Sequence, residues 1–251
     1  GLHVVGRGII FVDLALAQIA ALGIATAILL GADPDHSSLP YALAIAFTLA
    51  GAALFSLTRF RHPRVPQEAI IGILYIVAAA AATLVLSRTA AGDEEIKNLL
   101  VGNILLVSSG EVLRTIGLFA GVGLFHYLLR RRFHLVSFDL DEALRQGVSV
   151  RLWDFLFYAT FGLVVTSFVR IAGVYLVFSY LIVPAVCGAL LSSRTAVRLA
   201  IGWGVALTAG VAGLLLSTQW VSMDLPTGPT IVCLFGLLLA VSGALAYLQQ
   251  R

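Results

Sequence analysis

The sequence predicts an all-α, polytopic membrane protein built as a bundle of eight spanning helices. Hydrophobic residues make up 60% of the 251 residues and charged residues only 12%, against about a quarter in ordinary soluble domains. Eight apolar runs have about the 20 residues that a spanning helix needs. Basic residues concentrate in alternate connections between these runs. We therefore expect a single transmembrane domain over residues 1–251, without a separate soluble domain.

The eight predicted spans follow one another with short connections. They lie near 8–31, 40–60, 69–87, 111–129, 152–170, 172–192, 196–217 and 228–249. The opening stretch, 1–7, has the composition of a helix end, so we expect a ninth spanning helix ahead of residue 1. Pro184 predicts a kink in the sixth span. Cys187 and Cys233 lie in apolar runs without CxxC spacing, which favours small buried side chains over a disulfide or metal ligands.

The basic residues also predict the orientation in the membrane. Threading the spans alternately places four basic residues on one side, namely Arg88, Lys97, Arg114 and Arg170, and the other twelve of the 16 on the opposite side. By the positive-inside rule the richer side is cytoplasmic. The net charge of +3 therefore reflects orientation, and no nucleic-acid partner is expected.

The longest cytoplasmic connection carries a predicted short helix at about 139–147. Asp139 followed by Glu142 has the spacing of a capping box, and Gly147 suits a helix stop. One face is apolar and consists of Leu140, Ala143 and Leu144. The other positions are polar: Asp141, Glu142, Arg145 and Gln146. Such a helix can lie on membrane lipid or dock into a groove of a partner protein, and its acidic start favours docking.

A P-loop for nucleotide binding is missing from the sequence. A P-loop needs a lysine that reaches the phosphates, and the single lysine, Lys97, lies in the stretch Glu-Glu-Ile-Lys on the predicted outer side. An HExxH metallo-enzyme motif is also missing. Any ATPase that drives this protein must be a separate chain, and we expect no covalent catalysis here.

A series of motifs, taken in order, indicates a family. They are LALAQ (14–18), PQEAIIGIL (66–74), LVGNILLVS (100–108), DEALRQG (141–147), GLVVTS (162–167), RIAG (170–173), LIVPA (181–185) and DLPTGPTIV (224–232). Together they resemble the ABC-3 family of permeases, the membrane subunits of bacterial zinc, manganese and iron(II) importers.

The resemblance implies an assembly, a set of partner proteins, a cargo and a transport mechanism. It implies a homodimer in the bacterial inner membrane, cytoplasmic ATPase subunits that bind ATP and Mg, and an extracytoplasmic metal-binding protein. The cargo would be a divalent metal moved by alternating access, and this chain would bind no cofactor of its own. The helix at 139–147 would be the coupling helix, with ATPase contacts at Leu140, Asp141, Glu142, Ala143, Leu144 and Gly147.

The first span holds two polar residues, Asp13 and Gln18. An ionisable residue at membrane depth costs a few kcal/mol and usually faces a cavity or a partner. Asp13 lies only about 9 Å along a helix from Arg7. One interpretation is therefore an interfacial aspartate that pairs with an arginine or caps a neighbouring helix. The other places Asp13 and Gln18 on the wall of the ion path, with Asp13 as a metal ligand.

The resemblance is imperfect at this point. The family's usual form is Asp-Ala-Leu-Ala-His, and here Leu14 and Gln18 occupy the positions of Asp and His, with Asp13 one residue early. On a regular helix Asp13 and Gln18 point about 140° apart, so both cannot bind one ion. This departure keeps open an ABC permease for a non-metal or chelated solute.

Other polar residues are weaker candidates for contact with the transported ion. Asp33, Asp35 and His36 form an external cluster that could receive a metal or could be an ordinary acidic loop. Glu68 and Asp154 are expected to complement the dipoles of their own helices, and His126 is expected at the interface. An ion-coupled secondary transporter is the more remote alternative, because it should keep paired charges at mid-membrane, where Asp13 stands almost alone.

Overall fold

The computed structural model describes residues 4, 8–9, 11–33, 37–59, 65–89, 97, 100–102, 104–219 and 225–249. All regular structure in this part of the chain is helical. The elements in chain order are α1 (Val12–Leu29), α2 (Leu39–Leu57), α3 (Gln67–Leu86), a 3₁₀ turn (Ile104–Leu106), α4 (Ser109–Leu128), α5 (Arg130–Phe138), α6 (Leu140–Arg145), α7 (Val150–Leu191), α8 (Thr195–Gln219) and α9 (Thr227–Gln249).

The predicted all-α membrane bundle is confirmed. Seven helical segments of the described chain are long and apolar enough to span a membrane, and α7 supplies two of them, Val150–Val169 and Ile171–Leu191. The predicted span at 111–129 corresponds to α4, which passes the same test only together with α5, and these two helices meet at 74°. Glu111 and Arg114 lower the hydropathy of α4.

Helix α1 lies at the centre of the bundle, enclosed by α2, α3 and α7. Its spanning window is 67% buried, whereas that of α8 is 11% buried. Small residues allow the close approach, as is common between membrane helices. A Cβ on Gly23 would lie 2.6 Å from the Leu43 carbonyl oxygen of α2, so the two backbones are nearly in contact there. The polar residues of α1 therefore face protein and not lipid.

Helix α7 is broken at Gly173, where φ is 76° and ψ is 163°. Gly102 also has a positive φ, 69°. A Cβ on either glycine would collide with the backbone at the other, so the segment before the 3₁₀ turn packs directly against the break. Pro184, where the sequence predicts the kink, keeps helical dihedral angles. The interruption is therefore set by a contact between two distant glycines.

Long-range hydrogen bonds join several helix ends at one end of the bundle, which we call the arginine-rich end because Arg59, Arg145 and Arg151 lie there. The Gln67 amide at the start of α3 donates to the Phe55 carbonyl of α2 at 3.1 Å and to the Tyr158 hydroxyl of α7 at 3.2 Å. This end carries the predicted coupling helix and the starts of α1, α3 and α7. It corresponds to the predicted cytoplasmic side.

Candidate functional site

The first carboxylate at the arginine-rich end is Asp13, in the first turn of α1. Its side chain is buried, with 1% of its surface exposed. Oδ1 accepts a hydrogen bond from the Leu14 amide at 2.8 Å. Oδ2 is buried and has no donor among the described residues. A buried carboxylate oxygen without a donor is costly, so Asp13 needs a further partner.

The second carboxylate is Glu68, in the first turn of α3. Its Oε1 accepts from the Phe11 amide at 3.0 Å, and Phe11 is the N-cap residue of α1. Glu68 therefore caps α1 from a neighbouring helix, where the sequence predicts a role at its own helix start. Its Oε2 is buried and also lacks a donor among the described residues.

These two carboxylates, which we call the acidic pair, lie within electrostatic range of one another. The N-terminus of α1 donates one amide to each of them, and each keeps one unsatisfied oxygen. Two like charges in a buried site repel, and one arrangement that relieves them is a bound cation. The acidic pair is thus able to bind a positive ion through oxygen ligands.

Gln18 does not belong to the acidic pair. It is buried, at 6% exposure, but it lies five residues further along α1, which is continuous from Val12 to Leu29. The predicted divergence of about 140° between Asp13 and Gln18 therefore applies. Among the residues that the structure describes, no group of three or more His, Cys, Asp or Glu side chains could hold a metal ion.

The predicted external cluster lies beyond the far end of α1. Asp33 is exposed, and its carbonyl accepts from the Ser37 amide at 3.1 Å. Asp35 and His36 lie outside the described residues. The hypothesis that this cluster receives a metal stays a prediction.

The short helix predicted at about 139–147 is present as α6, and its start and stop signals are confirmed. Oδ1 of Asp139 accepts from the Glu142 amide at 3.0 Å, and Gly147 has φ 67°. The reciprocal half of the expected capping box is replaced. The Glu142 carboxylate instead accepts from the Gln146 amide at 2.9 Å and pairs with Arg145 at 3.5 Å.

The apolar face of α6 is divided between the bundle and solvent. Ala143 is fully buried in a small cluster with Val136 of α5 and Val148, so it anchors α6 and cannot contact another protein. This corrects the prediction that Ala143 belongs to the docking face. Leu144 points away and is 40% exposed, while Leu140 is half-buried. Leu144 is thus the most exposed apolar residue of this face.

A buried ion pair that the sequence does not reveal connects the α5–α6 hairpin to the bundle. Arg59, just after α2, donates from Nη1 to both carboxylate oxygens of Asp154 at 2.7 and 2.9 Å. Nη2 donates to the Val136 carbonyl of α5 at 3.1 Å. Asp154 is 0% exposed and Arg59 17% exposed. Asp154 therefore bonds a distant segment of the chain, in addition to the expected role at the start of its own helix.

His126 joins α4 to the same end of the molecule. Its Nε2 lies 2.9 Å from the Thr160 hydroxyl of α7, and its ring stacks on Phe133 of α5 with centroids 4.3 Å apart. The expected interfacial position is compatible with these contacts. They give His126 a packing role between three helices.

These features define a multi-pass helical membrane protein with a small helix held at its arginine-rich end, the arrangement of a transport subunit. Residues 1–246 match the model of the ABC 3 transport family. The chain belongs to this family, as the motifs predict, and is a transport protein and not an enzyme.

The curated relatives include several metal-transport membrane proteins. A manganese import system permease protein, ScaB of Streptococcus pneumoniae, is 25% identical over 251 residues, which cover 100% of this chain and 86% of that protein. The manganese transport system membrane protein MntC of Halalkalibacterium halodurans is 27% identical over 72% of this chain, which spans 61% of the relative's length. The chelated iron transport system membrane protein YfeD of Yersinia pestis is 28% identical over 72% of this chain and 60% of its own length.

Two solved structures share the fold. The complex PsaBC from Streptococcus pneumoniae with a Fab contains a chain that matches with a TM-score of 0.75 at 23% identity, covering 96% of this chain and 83% of that chain. A metal-chelate type ABC transporter in an inward-facing conformation matches with a TM-score of 0.67 at 20% identity, over 96% of this chain and 82% of its own.

Proposed function

We propose that this chain is the membrane permease of an ABC importer in a bacterial inner membrane and that it moves a divalent transition metal by alternating access. A family match along nearly the whole chain carries the proposal. Relatives named for manganese and chelated iron support metal as the cargo. ATP and Mg are bound by a separate ATPase subunit, and an extracytoplasmic metal-binding protein delivers the cargo.

The exposed side of α6 is the proposed contact with the ATPase. It presents Leu140, Asp141, Glu142, Leu144 and Gly147, while Ala143 fixes the helix to its own bundle. Because Arg59 bonds both Asp154 and the Val136 carbonyl, α5 is joined directly to α2 and α7. Displacement of α6 by ATPase closure therefore moves helices that enclose α1.

A homodimer through α4 is the proposed assembly. No residue of α4 is buried, although the helix carries Glu111 and Arg114 in its first two turns. Both charged side chains line a small cavity between α2, α4 and α7, whereas Leu113 and Ile116 of α4 are exposed, and we expect a second copy to cover this exposed side. Gly117 and Gly121 have open space around them, and such small residues permit close packing between membrane helices.

Manganese is the proposed cargo in preference to zinc. Asp13 is the pathway carboxylate and Gln18 the second polar residue on the wall of α1. Both offer oxygen ligands, and Gln18 occupies the position where the family's usual form has a histidine. Carboxylate and carbonyl oxygens suit Mn²⁺, whereas imidazole suits Zn²⁺. A chelated metal is the second candidate, because the relative YfeD is named for chelated iron.

Proteoliposomes that contain the full-length permease with its ATPase test the proposal. We expect ATP-dependent accumulation of Mn²⁺ when the metal-binding protein is supplied, and loss of accumulation in the Asp13→Asn variant. Asp139→Asn is the matched control, since Asp139 is an exposed carboxylate at the same end and asparagine can keep its capping bond to the Glu142 amide. Uptake of a metal chelate without uptake of the free ion would favour a chelated metal as the cargo. Uptake that does not need ATP would contradict the assignment to an ABC importer.

A further inference from the structure

We infer that Asp13 and Glu68 together form a binding site for one hard divalent cation at the arginine-rich ends of α1 and α3. Glu68 then has a second role besides capping α1. The inference rests on the proposed function only in taking the cargo as the cation that binds there. Binding itself is a property of the acidic pair and can be measured without transport.

The first argument is the unsatisfied hydrogen-bonding capacity of the pair. Asp13 Oδ2 and Glu68 Oε2 are both buried and both lack a donor in the described part of the chain. Most buried polar atoms in proteins have a partner, and each exception needs an explanation. Two such oxygens on neighbouring carboxylates have a common explanation, a ligand that contacts both.

The N-terminus of α1 does not provide that explanation. Its amides at Phe11 and Leu14 already bond Glu68 Oε1 and Asp13 Oδ1, so they hold the two side chains in place and leave the other oxygens unsatisfied. A helix dipole corresponds to about half a unit charge. It offsets part of one carboxylate, whereas the pair carries two negative charges when ionised.

The neighbouring donors are engaged elsewhere. The amide of Gln67, adjacent to Glu68, donates to the Phe55 carbonyl and the Tyr158 hydroxyl. The guanidinium of Arg59, also at this end, donates to Asp154 and to the Val136 carbonyl. Neither side chain serves the acidic pair, and a cation bound between the two carboxylates would satisfy both oxygens.

The donor set defines the class of cation. Both ligands are carboxylate oxygens, and backbone carbonyls or water would complete the coordination shell. Such oxygen sites suit Mn²⁺, Mg²⁺ or Ca²⁺, whereas Zn²⁺ prefers nitrogen and sulfur. The pair lies at the predicted cytoplasmic end, so cargo would occupy it just before release into the cell.

Equilibrium binding of Mn²⁺ to the purified full-length permease, followed by electron paramagnetic resonance of the free ion, tests the site. Glu68→Gln is the informative variant, because the amide oxygen can still accept from the Phe11 amide and preserve the cap. Loss of a partner outside the coordination shell already costs roughly 10–100-fold in metal affinity. We therefore expect Glu68→Gln to weaken binding at least about tenfold, and Asp13→Asn to do the same.

Asp139→Asn is the control and should bind Mn²⁺ as the parent protein does, because Asp139 is an exposed carboxylate at the same end and asparagine can keep its capping bond to the Glu142 amide. Equal affinity in the parent and Glu68→Gln proteins would overturn the inference, as would a parent protein that binds no Mn²⁺. Should Asp13→Asn fail to fold, the result with Glu68→Gln still decides.

Uptake assays with the same proteins separate this inference from the proposed function. Binding at the pair without any metal uptake by the parent would refute metal transport and leave the site standing. Metal uptake by the parent together with unaltered binding by Glu68→Gln would refute the site and leave the transport function standing.

Discussion

Asp13 and Asp154 are both aspartates in the first two turns of a spanning helix at the same end of the bundle, and both are almost fully buried. They differ in their partners. Asp154 receives two charge-assisted hydrogen bonds from Arg59, whereas Asp13 receives one backbone amide on one oxygen. The difference teaches that burial alone does not identify a functional carboxylate. The number of hydrogen-bond donors to each carboxylate distinguishes Asp154, whose two oxygens both have a donor, from Asp13, which has an oxygen left to bind a ligand.

The two aspartates should therefore respond oppositely to substitution. Removing one partner of a buried ion pair leaves an uncompensated charge and destabilises the fold. Removing the charge of Asp13 relieves a repulsion with Glu68, so the fold should tolerate it while cation binding is lost. The predictions below test this contrast, beginning with the largest expected effect.

Asp154→Ala should lower the free energy of unfolding by about 3–5 kcal/mol, because Arg59 is left without its carboxylate. Thermal unfolding of the purified protein in detergent measures the loss as a lower Tm. The double variant Arg59→Met with Asp154→Leu should recover much of it, since apolar replacement of a buried pair is often nearly neutral. An unchanged Tm in Asp154→Ala would show that the pair is not structural.

Asp13→Asn should leave the free energy of unfolding within about 1 kcal/mol of the parent value and reduce ATP-dependent metal uptake at least about tenfold, a difference of about 1.4 kcal/mol. The asparagine side chain is nearly isosteric but carries no charge for a cation. Uptake per reconstituted permease is the measurement. Full uptake by Asp13→Asn would remove Asp13 from the ion path.

Leu144→Glu extends the contrast to apolar side chains on α6. Leu144 is exposed and Ala143 is buried, so the first should affect ATPase binding and the second stability. We expect Leu144→Glu to weaken ATPase affinity about tenfold, the effect of losing about 1.4 kcal/mol, at unchanged Tm. Titration of labelled ATPase onto the reconstituted permease provides the affinity. Full affinity would place the docking surface elsewhere.

Asp139→Ala tests a carboxylate whose role is purely local. Loss of the N-cap bond to the Glu142 amide should destabilise α6 by about 1 kcal/mol. Faster hydrogen exchange confined to the amides of α6 would report it, and Asp141→Ala, which removes a carboxylate from the same turn but not the cap, is the comparison. Equal exchange in the two variants would contradict a capping role for Asp139.

The sequence predicts those features that depend on near neighbours. About 20 apolar residues suffice to predict a span, so the spans fall within a few residues of the observed helices. The bond from the Glu142 amide to Asp139 joins residues three apart and follows from local spacing. The same signal, Ser followed three residues later by Glu, is present at Ser108 and Glu111, where the structure shows a full capping box. That box could have been predicted.

The features that the sequence does not predict depend on distant residues. Arg59 and Asp154 are 95 residues apart, and Glu68 bonds an amide 57 residues away. Amphipathic spacing indicated an apolar face on α6 but not which of its residues the bundle would cover. No local pattern brings Gly102 to Gly173. The sequence predicts one member of the acidic pair, Asp13, as a candidate ligand. It does not predict Glu68 as the second member, because its position favours a role at the start of its own helix.

The break of α7 at Gly173 divides this long helix into two helical segments that meet at one residue. The segment before the break is joined to the α5–α6 hairpin through the bonds of Arg59 to Asp154 and to the Val136 carbonyl. The break itself packs against the backbone at Gly102. A tilt of the segment Val150–Val169 therefore need not produce an equal tilt of the segment Ile171–Leu191. The proposed alternating access would need such a difference, because one end of the pathway must close while the other opens.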